Sequence, residues 1–262
     1  MSKILLLDIE TAPSLSYIWS LYTEVMSMDF VIDDWYILCW SAKWLGEKEL
    51  ISSSLTDFPA TYKKDIQDDK EVMKKLWKLL DEADIMVAHN GKKFDRKKVN
   101  TRFMIHGMPP PSPYKIVDTL LIARAHFAFT SNKLGDLSVF LGLGKKVKTG
   151  GFELWKACLQ GIESAWNKMI KYCKKDVILL EKVYLKLRAW DSLHPNMGIF
   201  EDGEIKMCPK CGSNVRKEGF TYTNVSKFQR YQCKNKKCNA WSRDRTNLIT
   251  KEKSKSLITN IS

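Results

Sequence analysis

Residues 4–11 read ILLLDIET, four consecutive apolar side chains followed by two acids two positions apart. A continuous apolar run of this length, with no polar alternation, predicts a strand buried on both faces, as found where helices cover both sides of a sheet. Side chains alternate along a strand, so Asp8 and Glu10 point the same way and their carboxylates lie close together. Two uncompensated anions beside an apolar strand are costly, and a divalent cation removes that cost. The plain alternative is that the strand ends there and both acids reach water.

Working outward, residues 36–45 (YILCWSAKWL) and 49–53 predict two further strands joined by a tight turn at Gly46 and Glu47. Between them and the first strand lies a long loop rich in aromatics: Tyr17, Trp19, Tyr22, Phe30 and Trp35. Residues 70–82 have helical spacing through Val72, Leu76, Leu79 and Leu80, and 85–88 is another short buried strand. A helix over 95–106 stops at Gly107 and the prolines at 109–111. Strand 115–117, helices near 118–126 and 133–141, a Gly/Lys loop, and a long helix over about 163–189 complete the main body. Strands followed by alternating helices and strands predict an α/β fold, a mixed sheet flanked by helices.

Two more places along this frame carry candidate chemistry. Asp95 opens a helix just after the loop HNGKKF, where it can be a simple N-cap or a ligand. Tyr172 and Asp176 are four apart on the long helix and share a face with Met169, Leu179 and Val183. A carboxylate inside an apolar stripe needs a partner, and a metal ion is a good one; a surface Asp beside Lys175 is the alternative.

The segments LLLDIET, HNGKKFD and YCKKD, in this order, resemble the three exonuclease motifs of the DEDD (DnaQ-like) superfamily over roughly residues 1–190. Their forms D-x-E, N-x3-F-D and Y-x3-D are similar to the tyrosine subclass found in the proofreading domains of family A and B DNA polymerases. The histidine subclass places its base five residues before the last Asp, where this chain has Lys171. Among relatives the chain looks most like stand-alone, phage-type exonucleases without a polymerase domain. The resemblance implies an RNase H-like fold and hydrolysis at 3′ ends with two Mg²⁺ or Mn²⁺ ions. It implies that Asp8 bridges both ions, that Glu10 and Asp176 complete the site of the nucleophilic water, and that Asp95 holds the second ion largely through water. Tyr172 would orient the attacking water, and Asn90 and Thr11 would contact the terminal nucleotide.

The net charge of +13 is unevenly placed: from position 206 onward 14 Lys and Arg stand against 3 acids, whereas the preceding residues hold 29 against 27. A concentrated basic excess points to a polyanionic partner. The same region holds Cys208 and Cys211 as C-x2-C, then a gap of 21 residues, then Cys233 and Cys238 as C-x4-C. Two short-spaced thiol pairs fit one closed tetrahedral Zn²⁺ site, and the segment resembles the zinc ribbons of some transposases and transcription factors, apart from the wider second pair. Residues 219–222 and 230–233 predict its strands. The region is too small to bury much core, so the metal is expected to supply folding energy. Its aromatics (Phe220, Tyr222, Phe228, Tyr231, Trp241), interleaved with Lys and Arg, fit a nucleic-acid backbone binder.

The expected organisation is an exonuclease domain over 1–193, a linker over 194–205, a zinc ribbon over 206–246 and a basic polar, poorly ordered tail over 247–262. Cys39, Cys158 and Cys173 read as reduced core residues, as do Trp40 and Trp44. The loop 145–151 (KKVKTGG) contains Gly and Lys but lacks the phosphate-loop pattern. His89 and His106 have no partner visible in sequence and read as structural. The first apolar run is too short for a signal core and no stretch can span a membrane, so the expected setting is a bacterial or phage-infected cytoplasm. Single-stranded DNA is the expected substrate, RNA being the enzymatic alternative. A non-cleaving nucleic-acid adaptor is the rival from another class, and an intact acid set argues against it.

Overall fold

The computed structural model describes residues 2–22 and 26–259. Residues 23–25 of the aromatic loop and the last three of the expected tail lie outside the described residues. Two compact units are present, one over Lys3–Val183 and one running from Tyr184 onward.

The first unit begins with β1 (Ile4–Thr11), then the short pair β2 (Leu15–Ser16) and β3 (Val31–Asp33), then β4 (Ile37–Trp44) and β5 (Ile51–Ser54). It continues with α1 (Pro59–Lys64), α2 (Lys70–Glu82), β6 (Ile85–Ala88), α3 (Asp95–Ile105), β7 (Lys115–Asp118), α4 (Thr119–His126), α5 (Leu134–Phe140), α6 (Glu153–Leu159) and α7 (Glu163–Leu187). The main sheet has the order β5-β4-β1-β6-β7. β4 pairs antiparallel with both β1 and β5, while β1–β6 and β6–β7 are parallel. This is the mixed, helix-flanked α/β fold expected of an RNase H-like chain.

β1 is central because its apolar run is wanted on both faces. Leu5, Leu6 and Leu7 are fully buried, each contributing about 1.5–3 kcal/mol over an exposed position. Leu5, Leu7 and Ile9 pack in one cluster with Val72, Leu76 and Leu80 of α2 and Trp166 and Met169 of α7. Trp40 is buried and donates its indole N–H to Val72 O at 2.9 Å, and Trp44 packs against the same cluster. His106 is structural: it contacts the fully buried Asp69, which also accepts three bonds from Arg102 and one from the Ile37 N–H at 2.8 Å.

The sequence does not predict α1, α6 or the β2–β3 pair, which are too short to show a period. Trp19, Leu21 and Tyr22, between those two strands, are almost fully exposed. No helix among the described residues is long and apolar enough to cross a membrane.

The second unit holds β8 (Val215–Tyr222), β9 (Lys227–Cys233) and β10 (Trp241–Arg243), an antiparallel sheet with β9 in the middle. The third strand is an addition to the two predicted. A short 3-10 turn, Met197–Phe200, precedes them, and the Met197 N–H donates to Pro209 O at 2.9 Å. In the tail, α8 (Lys251–Lys255) forms where a poorly ordered stretch was expected, because Thr250 caps it by accepting the Lys253 N–H.

Candidate active site and cysteine centre

β1 delivers Asp8 and Glu10 at its C-terminal end, paired with β4 and just past Leu6, where the pairing with β6 ends. One ligand atom each from Asp8, Glu10 and Cys173 lies within 4.8 Å of the other two. Cys173 comes from α7 and packs its thiol 3.5 Å from the Asp8 carbonyl and 3.6 Å from Asp8 Oδ2. That contact presses α7 onto β1 and brings in Asp176, whose charge acts on both acids of the strand.

Asp95 arrives from the β6–α3 connection. A tight turn there has Asn90 at φ 70°. Gly91 is required beside it, since a Cβ would come within 2.5 Å of Ala88 Cβ. Asp118, buried at the end of β7, accepts the N–H groups of Asn90, Lys92 and Leu120 at 2.9, 3.0 and 3.1 Å. The turn is thereby fixed and α4 capped by one side chain.

The electrostatics are those of an anion cluster only partly compensated, by Lys146. Burial, then the charges of Glu10, Asp95 and Asp176, hold Asp8 well above the usual carboxylate range. Burial and Asp176 push Glu10 up to about 8. Burial pushes Asp95 up to about 7, against hydrogen bonds from its own backbone and that of Ile9. Asp176 is raised by burial, with Lys146 pulling the other way. Its Oδ1 is buried without a hydrogen-bond partner among the described residues. Hard oxygen donors, a mutually repelling set and an orphaned carboxylate oxygen together fit divalent cations.

Tyr172 stands one turn before Asp176, and Lys146 Nζ donates to its hydroxyl at 3.2 Å while also contacting Asp176. Burial, then the Asp176 charge, keeps the phenol protonated well above its ordinary range. Burial works to lower the Lys146 ammonium, but Asp176 and Tyr172 together outweigh it and raise it. Beside these groups is a pocket of about 550 Å³ whose walls include Asp8, Asn90, Arg124, Lys133 and Lys146. Thr11 follows the bulge at the end of β1 and pairs with Ile37, partly exposed. His89 bonds Thr119 Oγ1 and Asn132 O, each at 2.9 Å, through its two ring nitrogens, and so ties α4 to the loop beyond it.

Sequence reasoning missed Lys146 and Asp118. Lys146 is 30 residues from Asp176 in a loop without a recognisable pattern, and Asp118 carried only the signal of a helix start.

In the second unit, Cys208, Cys211, Cys233 and Cys238 place their sulfurs within 4.8 Å of one another. The Cys208–Cys238 and Cys211–Cys233 separations are 3.9 and 3.6 Å. A disulfide needs about 2.05 Å, whereas four sulfurs about 2.3 Å from one Zn²⁺ stand ~3.8 Å apart. Two turns shape the cluster: Gly212 at φ 70° lets its N–H return to Cys208 O, and Asn239 at φ 51° bonds Asn235 O. The Asn235 N–H donates to Cys233 Sγ at 3.4 Å, supporting that sulfur from behind. On the adjoining sheet Lys227 lies 3.9 Å from the Phe220 ring centre, Arg230 4.5 Å from Trp241 and Arg243 3.8 Å from Phe228.

A family model described as RNase_H superfamily matches residues 50–188, more than half of the chain. No curated protein matches.

Proposed function

Since the chain belongs to the RNase H superfamily, we propose that it is a metal-dependent 3′–5′ exonuclease of the tyrosine-type DEDD group, acting on single-stranded DNA. RNase H-like folds are commonly metal-dependent nucleases, and one observation carries the finer reading. Four carboxylates from three separate segments, Asp95 and Asp176 buried and Asp8 and Glu10 half-buried, act on one another, with Asp176 Oδ1 left unpartnered among the described residues. A structural acid cluster would neutralise itself with Arg or Lys pairs; among the described residues the ion pair to this one is from Lys146.

Asp8, Glu10, Asp95 and Asp176 would hold two Mg²⁺ or Mn²⁺ ions, which supply an activated water and charge stabilisation for the leaving 3′-oxygen. The residues do the positioning. Asp8, on the middle strand of the sheet, would set the centre of the site. Tyr172, protonated and anchored on α7, orients the attacking water by hydrogen bonding and does not act as a base. Asn90, held in its turn by Asp118, lines the pocket with Asp8 and would contact the terminal nucleotide, with Thr11 as the second expected contact.

The proposed organisation assigns the exonuclease domain to 1–193, a linker to 194–205, a zinc ribbon to 206–246 and a basic tail to 247–262. One structural Zn²⁺ is held by Cys208, Cys211, Cys233 and Cys238, and the basic ribbon aids nucleic-acid binding. The deciding experiment digests matched DNA and RNA oligonucleotides, labelled at either end, with Mg²⁺ or a chelator. Mg²⁺-dependent release of mononucleotides from DNA 3′ ends is expected, lost in Asp8→Ala and Asp176→Ala and partly kept in Tyr172→Phe. An Asp8→Ala protein that cleaves at the wild-type rate rejects the assignment.

A further inference from the structure

Lys146 reaches the acid cluster from the α5–α6 loop. The loop is pinned at two carbonyls: Leu143 O accepts from Lys182 Nζ at 3.1 Å and Thr149 O from Lys168 Nζ at 3.0 Å. Between these pins residues 144–148 have neither helix nor strand. Gly144 (φ 125°) begins the segment. The lysine stem crosses α5 at Gly135, where any Cβ would lie 3.1 Å from Lys146 Cδ. The ammonium ends on the two groups that α7 presents, Asp176 Oδ2 and the Tyr172 hydroxyl.

An ammonium on Asp176 Oδ2 and a divalent ion on the unpartnered Oδ1 oppose one another. Like charges about 4 Å apart repel by several kcal/mol even with an effective dielectric constant near 20. Lys146 also lines the pocket next to Asp8, where Arg124 and Lys133 contribute two more cationic side chains. That pocket has the charge to take a phosphodiester, and Lys146 is the member shared between it and the acids.

We propose that Lys146 is the resident counter-ion of the metal-free acid cluster, and that it leaves Asp176 for a substrate phosphate in the Arg124–Lys133 pocket when divalent ions bind. The exchange rests on the exonuclease reading of the same site. Its logic is charge balance: Asp176 holds a cation when no metal is present, and a lysine displaced by metal is drawn to the nearest polyanion. The stretch without helix or strand between the two pinned carbonyls lets the side chain re-aim without moving α5 or α7.

The test uses the full chain with Lys146→Met and, as a second neutral variant, Lys146→Gln. Mn²⁺ is titrated by calorimetry without nucleic acid. Binding of an oligothymidylate with phosphorothioate linkages at its 3′ end is then measured with Mn²⁺ over a range of salt. Both variants should bind Mn²⁺ on the order of ten-fold more tightly, having lost the competing charge. Both should bind the oligonucleotide more weakly, with a slope of log K against log salt smaller by about 0.7, one phosphate contact on a single strand. Unchanged or weaker Mn²⁺ binding in both variants overturns the counter-ion role, and an unchanged salt slope overturns the transfer to phosphate. Tightened Mn²⁺ binding in a chain that releases no nucleotides keeps the counter-ion and sinks the exonuclease reading. A chain that digests DNA while its variants bind Mn²⁺ like wild type does the reverse.

Discussion

The Asp118 carboxylate accepts the backbone N–H of Asn90 at 2.9 Å, so the turn that leads to Asp95 is held by a side chain from the neighbouring strand. The same carboxylate takes the N–H groups of Lys92 and Leu120. Asp118→Ala strands three donors in a part-buried position and should cost about 3 kcal/mol, the scale of lost buried hydrogen bonds plus a lost cap. The turn would loosen with it, so turnover should drop by more than a stability loss alone explains. Denaturant midpoints and single-turnover rates measured together check this; wild-type stability in Asp118→Ala would show that the bonds carry no weight.

Gly91 makes a sharper prediction because its reason is steric. A Cβ there would overlap Ala88 Cβ, at 2.5 Å, and stand 3.5 Å from Met86 Cε. Gly91→Ala should destabilise by about 1–3 kcal/mol, as overpacking does. Ala88→Gly in the same chain removes the clashing atom, so the double variant should recover part of the loss. A double-mutant cycle with no coupling would contradict this packing.

The raised carboxylates predict how stability follows pH. Glu10 moves from an ordinary 4.5 to about 8 on folding, and Asp95 from 3.8 to about 7. Through that window the folded chain holds protons that the unfolded chain has released. Their contribution is therefore fully present below about pH 4 and is lost as pH rises towards 8. Divalent ions bind the deprotonated acids, so the rise in Tm on adding Mg²⁺ should be small at pH 5 and grow towards pH 8. Glu10→Gln should shrink that growth. An equal Mg²⁺ effect at both ends of the range would count against a metal at these acids.

Much of this was legible in the sequence, for identifiable reasons. Ile4–Leu7 announces a central strand because an unbroken apolar run has few other places to go, and the strand brings Asp8 and Glu10 with it. The spacing of Tyr172 and Asp176 survives into the structure because a helix of 25 residues fixes its own geometry. What stayed hidden was either short or remote. α1 and α6, at 6 and 7 residues, span less than two turns and show no usable period. Lys146 sits in a glycine-flanked loop, and nothing local ties it to an acid on α7. Asp118 stands in sequence only where a helix begins, and the parallel pairing of β6 with β7 shows that it also reaches the neighbouring turn.

The cysteine geometry predicts about one tightly held zinc per chain by elemental analysis. Replacing Cys208 and Cys211 by Ser should release it and unfold β8–β10, because the sheet buries little beyond the cysteines, Phe228, Tyr231 and Ala240. Near-ultraviolet circular dichroism from Trp241 and Tyr231 would follow the loss. Full sheet structure in a zinc-free preparation would show that the metal is not what holds the ribbon.

The ribbon's role in binding is best tested at its arginines. Arg230 and Arg243 are opposite one another on β9 and β10, each with its guanidinium over an aromatic ring, Trp241 and Phe228. The rings restrict both side chains before any ligand arrives, which lowers the entropy lost on contact with a phosphate. If both meet phosphates of a single strand, Arg230→Gln with Arg243→Gln should flatten the slope of log K against log salt by about 1.4, two contacts' worth. Replacing both by Lys keeps the charge and should keep most of the slope while losing some affinity. Because the arginines act on binding and not on chemistry, the double Gln variant should raise KM and leave the single-turnover rate at saturating DNA largely intact. An unchanged slope in that variant would separate the ribbon from nucleic acid and leave it a structural or protein-binding role.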